Sequence, residues 1–402
     1  MNNPIIISFG DPGSINSEIL LKSIPLIKEN KNDLIIIGSR KALIKESEKI
    51  YYENNLLKLF NIEKIKTIES IGSFEKIIKI KKEKLEIYIK KSAKEIYYLY
   101  LSYKNNKNEI NNNNDKNNKN YKNSENNENS KNINDFFQSD KKNIFFFDPF
   151  EDLNFEIARI DIKNGFLSYL YLAISCALIE ILNFNAYLIT MPLNKKSVSL
   201  YDREFKGHTD FLIERYNAKD ARMLMHSDKL SILMETNHLP ILKLKKYLNS
   251  KHFLMTLFSA KDTIEKLKLE PYIYVLGLNP HKSDDSLIGN DEEKWIIPKI
   301  EKFKKILNNK IFIEGPFSSD SVFTEKSLKN KKHGIFIAWY HDQGLIPFKI
   351  LAANLGANIT IGLPFLRISP DHGTGFDIVG KNMVDISSFM FCLKVISSLE
   401  ER

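Results

Sequence analysis

Three of the eight histidines stand where an apolar or helical pattern breaks off: His208 in "FKGHTDF", His238 in "TNHLPI" and His341 in "WYHDQG". Two of them end apolar runs, and the first follows a glycine ahead of a helical run. Neutral imidazoles delivered by separate loops can bind a divalent transition metal and leave coordination positions open for a substrate, as Lewis-acid chemistry requires. Taken one at a time, each also reads as a capping or core histidine satisfied by a neighbour. His226, His252 and His333 lie in polar settings. His281 in "GLNPHKSDD" and His372 in "SPDHGTGFD" occupy turns where function and turn chemistry are not separable.

A second group suits an anion. A phosphate or carboxylate needs cations or backbone N–H donors, and Lys349, Asn358 and Arg367 fall within nineteen residues. The whole chain has seven arginines, which singles out Arg367 just after the apolar turn "GLPFL". Its ordinary alternative is a surface ion pair. No GxGxxG follows the first apolar run and no GxxxxGK[ST] occurs, so neither a standard Rossmann dinucleotide site nor a P-loop is present.

These residues need elements to hold them. In seven places an apolar, β-branched run stops at Gly, Pro, Asn, Asp or His and a helical period follows: 4–14, 33–43, 186–196, 230–240, 272–282, 311–320 and 334–344. Strands apolar on both faces that alternate with helices predict an α/β fold with a mainly parallel sheet, in which ligands gather beyond the carboxyl ends of the strands. The apolar stretch 166–190 carries a single charge, Glu180, and Asn183 and Asn185 interrupt it. A buried helix followed by a strand is predicted there, not a membrane span.

Between Lys104 and Asp135, 16 of 32 residues are Asn, and most of the others are Lys, Glu, Asp or Ser. With so little apolar surface to offset ordering entropy, this stretch reads as a disordered insertion. Its flanks include "KLEIYI" and "NIFFFD", both readable as strands.

The formal net charge is +9, almost all of it lysine, and Lys, Asn and Ile are inflated together as a nucleotide bias in the coding DNA would produce. The basic balance is therefore read as drift and not as a nucleic-acid footprint. Cys176 and Cys392 have no CxxC or metal-type spacing, which fits buried thiols in a reducing compartment. "MNNPIIISFGDPG" lacks a basic n-region and a long apolar run, so a cytoplasmic location is expected.

The segments "GDPGSINSEI", "NKKSVSLYDREFKGHTDFL", "TNHLP", "GLNPH", "EEKWIIPKI", "GPFSSDSVF", "YHDQGLIPFK" and "GANITIGLPFLRISPDHGTGFDIVGK", in this order, closely resemble the 4-hydroxythreonine-4-phosphate dehydrogenase family of vitamin B6 biosynthesis. The resemblance spans most of the chain outside residues 70–150. It implies an isocitrate/isopropylmalate dehydrogenase-like fold of two α/β domains, 1–186 with 381–402 and 187–380. It also implies a non-Rossmann NAD or NADP site, a divalent metal (Zn, Mg or Co), and a homodimer with active sites at the subunit interface.

Carried over by position, the resemblance makes His208, His238 and His341 metal ligands, the last donated by the partner subunit. It makes Lys349, Asn358 and Arg367 substrate contacts together with Asn194 and Lys195, and puts Asp320 on the cofactor side. The implied reaction is oxidation of the C3 hydroxyl of 4-phosphohydroxythreonine, then decarboxylation to 3-amino-2-oxopropyl phosphate. Lys195 is the first candidate for general base, since a lysine desolvated near a metal can titrate closer to neutrality; its alternative is to pair with the substrate carboxylate.

The chain also departs from the family. The family's first loop usually reads like GDPAGIGPE, whereas Ser14, Asn16 and Ser17 here replace two glycines and a proline. If that loop needs positive φ at those glycines, its backbone must adjust. Three alternatives remain at this level: a paralogous dehydrogenase of another phosphorylated hydroxy acid, an inactive relative, and an RNA-binding or scaffold protein acting through the Asn/Lys tract.

Overall fold

The structure is a computed structural model that describes residues 2–27, 32–50, 61–64, 82–117, 144–150, 153–307, 310–353 and 355–400. The chain divides into two compact units, Met1–Glu204 with Thr374–Val384, and Phe205–Gly373 with Asp385–Arg402.

The first unit is built on parallel strands β1 (Ile5–Ser8), β2 (Leu34–Ile37), β3 (Asn61–Lys64), β4 (Ile144–Asp148) and β5 (Tyr187–Thr190), in the order β3-β4-β2-β1-β5. Runs such as "IIIS" and "LIII" are buried along their whole length, as strands of a helix-covered parallel sheet must be. The helices are α1 (Asn16–Ser23), α2 (Arg40–Ile50), α3 (Lys82–Asn117), α4 (Ile162–Ile181) and α5 (Lys195–Tyr201).

Helix α4 is apolar on nearly every side because it packs against α3, α5 and the sheet. By length and composition alone it is apolar enough to cross a membrane, but 89% of its most apolar window is buried inside the fold. The stretch 166–190 is thus a buried helix running into β5, as predicted. Asp161 caps the helix by accepting a bond from Lys163 N at 2.7 Å.

The flank "KLEIYI" is helical and not a strand. Leu85, Ile89, Ala93, Ile96 and Tyr100 recur at helical spacing and are buried, so a 3.6-residue period over the longer segment overrides the short alternation. "NIFFFD" does contain a strand, β4. Of the Asn-rich stretch, residues 104–117 continue α3, and 118–135 lie outside the described residues.

The second unit holds β6 (Arg222–Ser227), β7 (Ser231–Met234), β8 (Tyr272–Leu276), β9 (Phe312–Phe317), β10 (Ile335–Ala338), β11 (Gly356–Ile361) and β12 (Arg367–Pro370). Their order is β12-β11-β6-β7-β10-β8-β9. From β7 to β9 the strands are parallel, whereas β6, β11 and β12 join through antiparallel pairings. Helices α6 (His208–Arg215), α7 (Ser250–Leu267), α8 (Ile297–Ile306), α9 (His341–Ala352) and α10 (Ser387–Glu400) complete it.

The unit boundaries differ from those expected. Strand β5 pairs with β1, which keeps residues up to 204 in the first unit, and α10 packs on β11 and β12, which keeps the C-terminal segment in the second. All seven predicted strand runs are strands. Cys176 and Cys392 are buried and belong to no disulfide among the described residues.

Candidate functional site

The turn from β10 into α9 is pinned by Gln343. Its Oε1 accepts from Trp339 N at 2.7 Å, and its Nε2 donates to Gly277 O at 2.7 Å and Ser319 Oγ at 2.9 Å. Trp339 is itself fixed by donating Nε1 to Leu276 O at 2.6 Å. The strand is followed by buried Trp339 and then by a helix whose first residue, His341, is therefore held at a defined place. Beyond the neighbouring strand β7, Thr236 donates to Trp339 O at 2.7 Å and Glu235 N to Ala338 O at 2.7 Å, so the two strand ends leave the sheet together.

His238 and His341 consequently face one another, with ring centroids 5.5 Å apart and planes at 42°. His341 Nδ1 lies 2.7 Å from the Asp342 carboxylate. A carboxylate only accepts, so this contact assigns the proton to Nδ1 and leaves the Nε2 lone pair for a ligand, the usual carboxylate–histidine–metal arrangement. His208 is the first residue of α6, after Gly207 at the N-cap, and is half-buried. Among the described residues no three His, Cys, Asp or Glu side chains of this chain form a metal-holding cluster. The paired imidazoles, one of them oriented by a carboxylate, nevertheless fit two ligands of a divalent ion that draws others from elsewhere.

The anion group is assembled by the antiparallel strands. Thr360 of β11 pairs with Arg367 of β12, and Asn358 with Ser369, so side-chain alternation puts all four on one face. Arg367 is 3% exposed and donates to Thr360 Oγ1 at 3.0 Å. Burial lowers its pKa to about 10, which still leaves it charged at neutral pH. Asn358 Oδ1 is buried without a hydrogen-bond partner.

Lys349, on α9, is oriented by Asp371: Nζ lies 2.5 Å from Asp371 Oδ2 and 3.2 Å from Asp371 O. Asp371 is fixed in turn, because its N–H donates to Ser388 Oγ at 2.7 Å and Ser388 donates to Gly356 O at 2.6 Å. Asp371 did not stand out in the sequence; its proximity to Lys349 depends on a 22-residue return of the chain. Next to it, His372 has a buried Nε2 without a partner, and burial lowers its pKa.

Between α9 and the turn Ser319–Val322 lies an open groove of about 430 Å³, lined in part by Asp320, Phe323, Tyr340, Asp342 and Ile346. Asp320 accepts from Ser318 Oγ at 2.6 Å, which holds its carboxyl below the usual range, and His281 Nδ1 stands 3.9 Å away. Apolar and aromatic walls with carboxylates in the lining suit a nucleotide, whose rings need flat apolar contact and whose ribose hydroxyls need an acceptor.

Asn194 and Lys195 belong to the first unit. Asn194 caps α5 by accepting from Ser197 N at 3.0 Å, and Lys195 stands exposed at the first helical position. The loop before them meets Asp11, a residue that sequence reasoning passed over although "GDPGS" closes β1. Asp11 Oδ1 accepts from Gly13 N at 2.9 Å and Asn164 Nδ2 at 3.1 Å, and the whole side chain is buried. Burial pushes its pKa up to about 7. The altered first loop needs no unusual backbone at Ser14–Ser17; positive φ occurs at Gly10.

The model of the family described as "Pyridoxal phosphate biosynthetic protein PdxA" matches residues 31–396. A 4-hydroxythreonine-4-phosphate dehydrogenase of Sulfurihydrogenibium sp. is 32% identical over 391 residues, which cover 96% of this chain and 94% of that protein. A putative D-threonate 4-phosphate dehydrogenase of Oceanobacillus iheyensis is 36% identical over 208 residues, 51% of this chain and 61% of that one. Among solved structures, a 4-hydroxythreonine-4-phosphate dehydrogenase of Klebsiella pneumoniae superposes with a TM-score of 0.67 over 100% of this chain and 99% of its own, at 21% identity, and so shares the fold.

Proposed function

The chain belongs to the Pyridoxal phosphate biosynthetic protein PdxA family, and from that premise we propose that it oxidises 4-hydroxythreonine 4-phosphate at C3 with NAD or NADP, then releases CO2 to leave 3-amino-2-oxopropyl phosphate. The observation that carries this reading is that one compact unit holds both the His238–His341 pair and the buried Arg367–Asn358 face.

His238 and His341 would hold a divalent ion, Zn2+, Mg2+ or Co2+, which when bound polarises the C3 oxygen as a Lewis acid. The Asp320 groove would take the nicotinamide cofactor, with the carboxylate toward a ribose hydroxyl. Arg367 offers a fork of donors that matches a phosphate, and Lys349 adds a point charge steered by Asp371. Asn194 and Lys195 are substrate contacts by their match to the family's motif, and Lys195 is the group proposed to take the C3 hydroxyl proton.

The pairing of His238 with His341 inside one chain, without a three-residue donor cluster among the described residues, supports a change in the expected division of labour. In a homodimer with sites at the subunit interface, His208 becomes the ligand that crosses to the partner, in place of His341. A cytoplasmic location accompanies this reading.

The test is turnover by the purified protein, stripped of metal and then supplied with each ion, with the phosphorylated hydroxy-amino acid and with NAD or NADP. Reduced nucleotide and CO2 should appear together and only with metal; no turnover under any combination overturns the reading. The similarity to a putative D-threonate 4-phosphate dehydrogenase favours one second reading, a dehydrogenase of a phosphorylated hydroxy acid that lacks the amino group. Comparing kcat/KM for the two substrates decides between them.

A further inference from the structure

Asn16 is fully buried at the first position of α1, where the family's usual loop carries a glycine. Its Nδ2 donates to Phe9 O at 2.8 Å and Pro192 O at 2.8 Å, and lies 3.3 Å from Asp11 O. Phe9 and Asp11 belong to the loop after β1; Pro192 belongs to the loop after β5 that leads into Asn194 and Lys195. One amide thus bridges two loops, reaching across 176 residues of sequence from Asn16 to Pro192.

The same two loops are joined a second time, because Asp11 N donates to Pro192 O at 3.0 Å. They touch backbone to backbone: a Cβ at Gly10, where φ is +71°, would fall 2.2 Å from Pro192 O and 2.6 Å from Met191 O. The Asp11 side chain extends the junction, anchored by Gly13 N and Asn164 Nδ2, with the Asn194 backbone N–H among the groups that favour its charged form. A Cβ at Gly13 would fall 2.0 Å from Glu156 O, so the loop is also closed on its other side. Two of these bonds end on Pro192 O and hold the segment that presents Asn194 and Lys195, and the others brace the loop from which those two bonds come.

We propose that Asn16 and Asp11 are positioning residues that lock the Pro192–Lys195 loop, so that Asn194 and Lys195 meet a phosphorylated substrate already oriented. The proposal rests on the reading of Asn194 and Lys195 as substrate contacts. The physical reason is preorganisation: a contact residue on a loop held by several internal bonds gives up less freedom when the substrate arrives, and a small displacement of it is felt in binding. Asn16 supplies with a side-chain amide what a glycine at that position cannot, donors to the buried carbonyls of both loops.

The experiment uses the full chain and reads two quantities, hydrogen exchange at the amides of residues 193–197 and the steady-state constants. Asn16→Ala and Asn16→Asp, the second keeping the shape but losing the donor, are expected to speed exchange in this segment. Both should raise the substrate KM by about tenfold, with the cofactor KM and metal content unchanged. Asp11→Asn should act in the same direction, and Asn16→Ser stands in if Asn16→Asp does not fold.

A lower melting temperature with wild-type exchange at 193–197 and wild-type substrate KM would make both residues merely structural and overturn the proposal. If the wild type itself fails to turn over the phosphorylated substrate, the functional reading fails. The exchange arm then decides alone: faster exchange at 193–197 upholds the lock, and unchanged exchange removes it.

Discussion

The imidazoles of His238 and His341 lie 5.5 Å apart, centre to centre, one beyond the end of β7 and the other opening α9. Since β7 and β10 are parallel neighbours in register, a residue just past each strand end is brought beside the other by the sheet itself. Asp342 then turns one ring so that Nε2 is the nitrogen left for a ligand.

His238→Ala and His341→Ala should each lose bound metal and reduce kcat by at least about a hundredfold, since each removes a ligand outright. Asp342→Asn tests the orienting bond separately. It should weaken metal affinity by about tenfold to a hundredfold while kcat at saturating metal is largely kept. Titration of the stripped protein with metal, followed by turnover, measures both; wild-type affinity in Asp342→Asn would show that its carboxylate orients nothing of consequence.

Arg367→Lys keeps the charge and loses the planar fork. An increase of about tenfold to a hundredfold in substrate KM is expected, with the cofactor KM little changed. Arg367→Met removes the charge at similar volume and should bind substrate more weakly still, yet unfold no more easily, because it no longer buries a guanidinium. Steady-state kinetics with urea unfolding separates the two effects. Equal changes in both KM values would argue against Arg367 as a substrate contact.

How much of this was readable from the sequence depends on range. The seven strand runs announce themselves because β-branched residues buried on both faces are a local signal, and the histidines at their ends follow from it. Strands β6, β11 and β12 were missed, since their antiparallel pairing leaves no helix-alternation signature, although Asn358 and Arg367 on them stood out by residue type. The segment "KLEIYI" misleads within six residues, and the buried series from Leu85 to Tyr100 corrects it. Asn16 reads in the sequence as a substitution in a glycine loop; its bridging bond is visible only with Pro192 in place. Contacts made across long sequence separations are the part that composition and period do not carry.

Helix α3 is an integral part of the first unit and not a surface appendage. Ile89 and Ile96 are buried on it, and it is tied at its start by Lys82 to Asp202 at 2.9 Å and near its middle by Tyr100 OH to Asp33 at 2.6 Å. Ile89→Ala and Ile96→Ala should each destabilise by about 2–4 kcal/mol, whereas Lys82→Ala, whose side chain is 55% exposed, should lose at most about 1 kcal/mol. Denaturant midpoints measure the difference. Isoleucine variants as stable as wild type would mean that α3 can detach without consequence.

The pH dependence of stability contains two opposed contributions. His226 is buried, stacked 5.8 Å from His333 and 2.8 Å from Ser231 Oγ, and burial first, then His333, lowers its pKa to about 3. Its folded value lies below the ordinary 6.5, so between these limits the unfolded chain binds a proton that the folded one refuses, and stability falls as pH falls from about 6.5 towards 3. Asp11 runs the other way. Its folded value, about 7, lies above the ordinary 3.8, so the unfolded chain ionises first and stability falls as pH rises from about 4 to 7. Each contribution is on the order of a few kcal/mol at most, and they partly cancel in the wild type. Urea unfolding across this range should therefore show a steeper acid loss for Asp11→Asn, which keeps only the histidine's contribution, and a shallower one for His226→Phe. Parallel pH curves for the wild type and both variants would mean that neither group carries the shift ascribed to it.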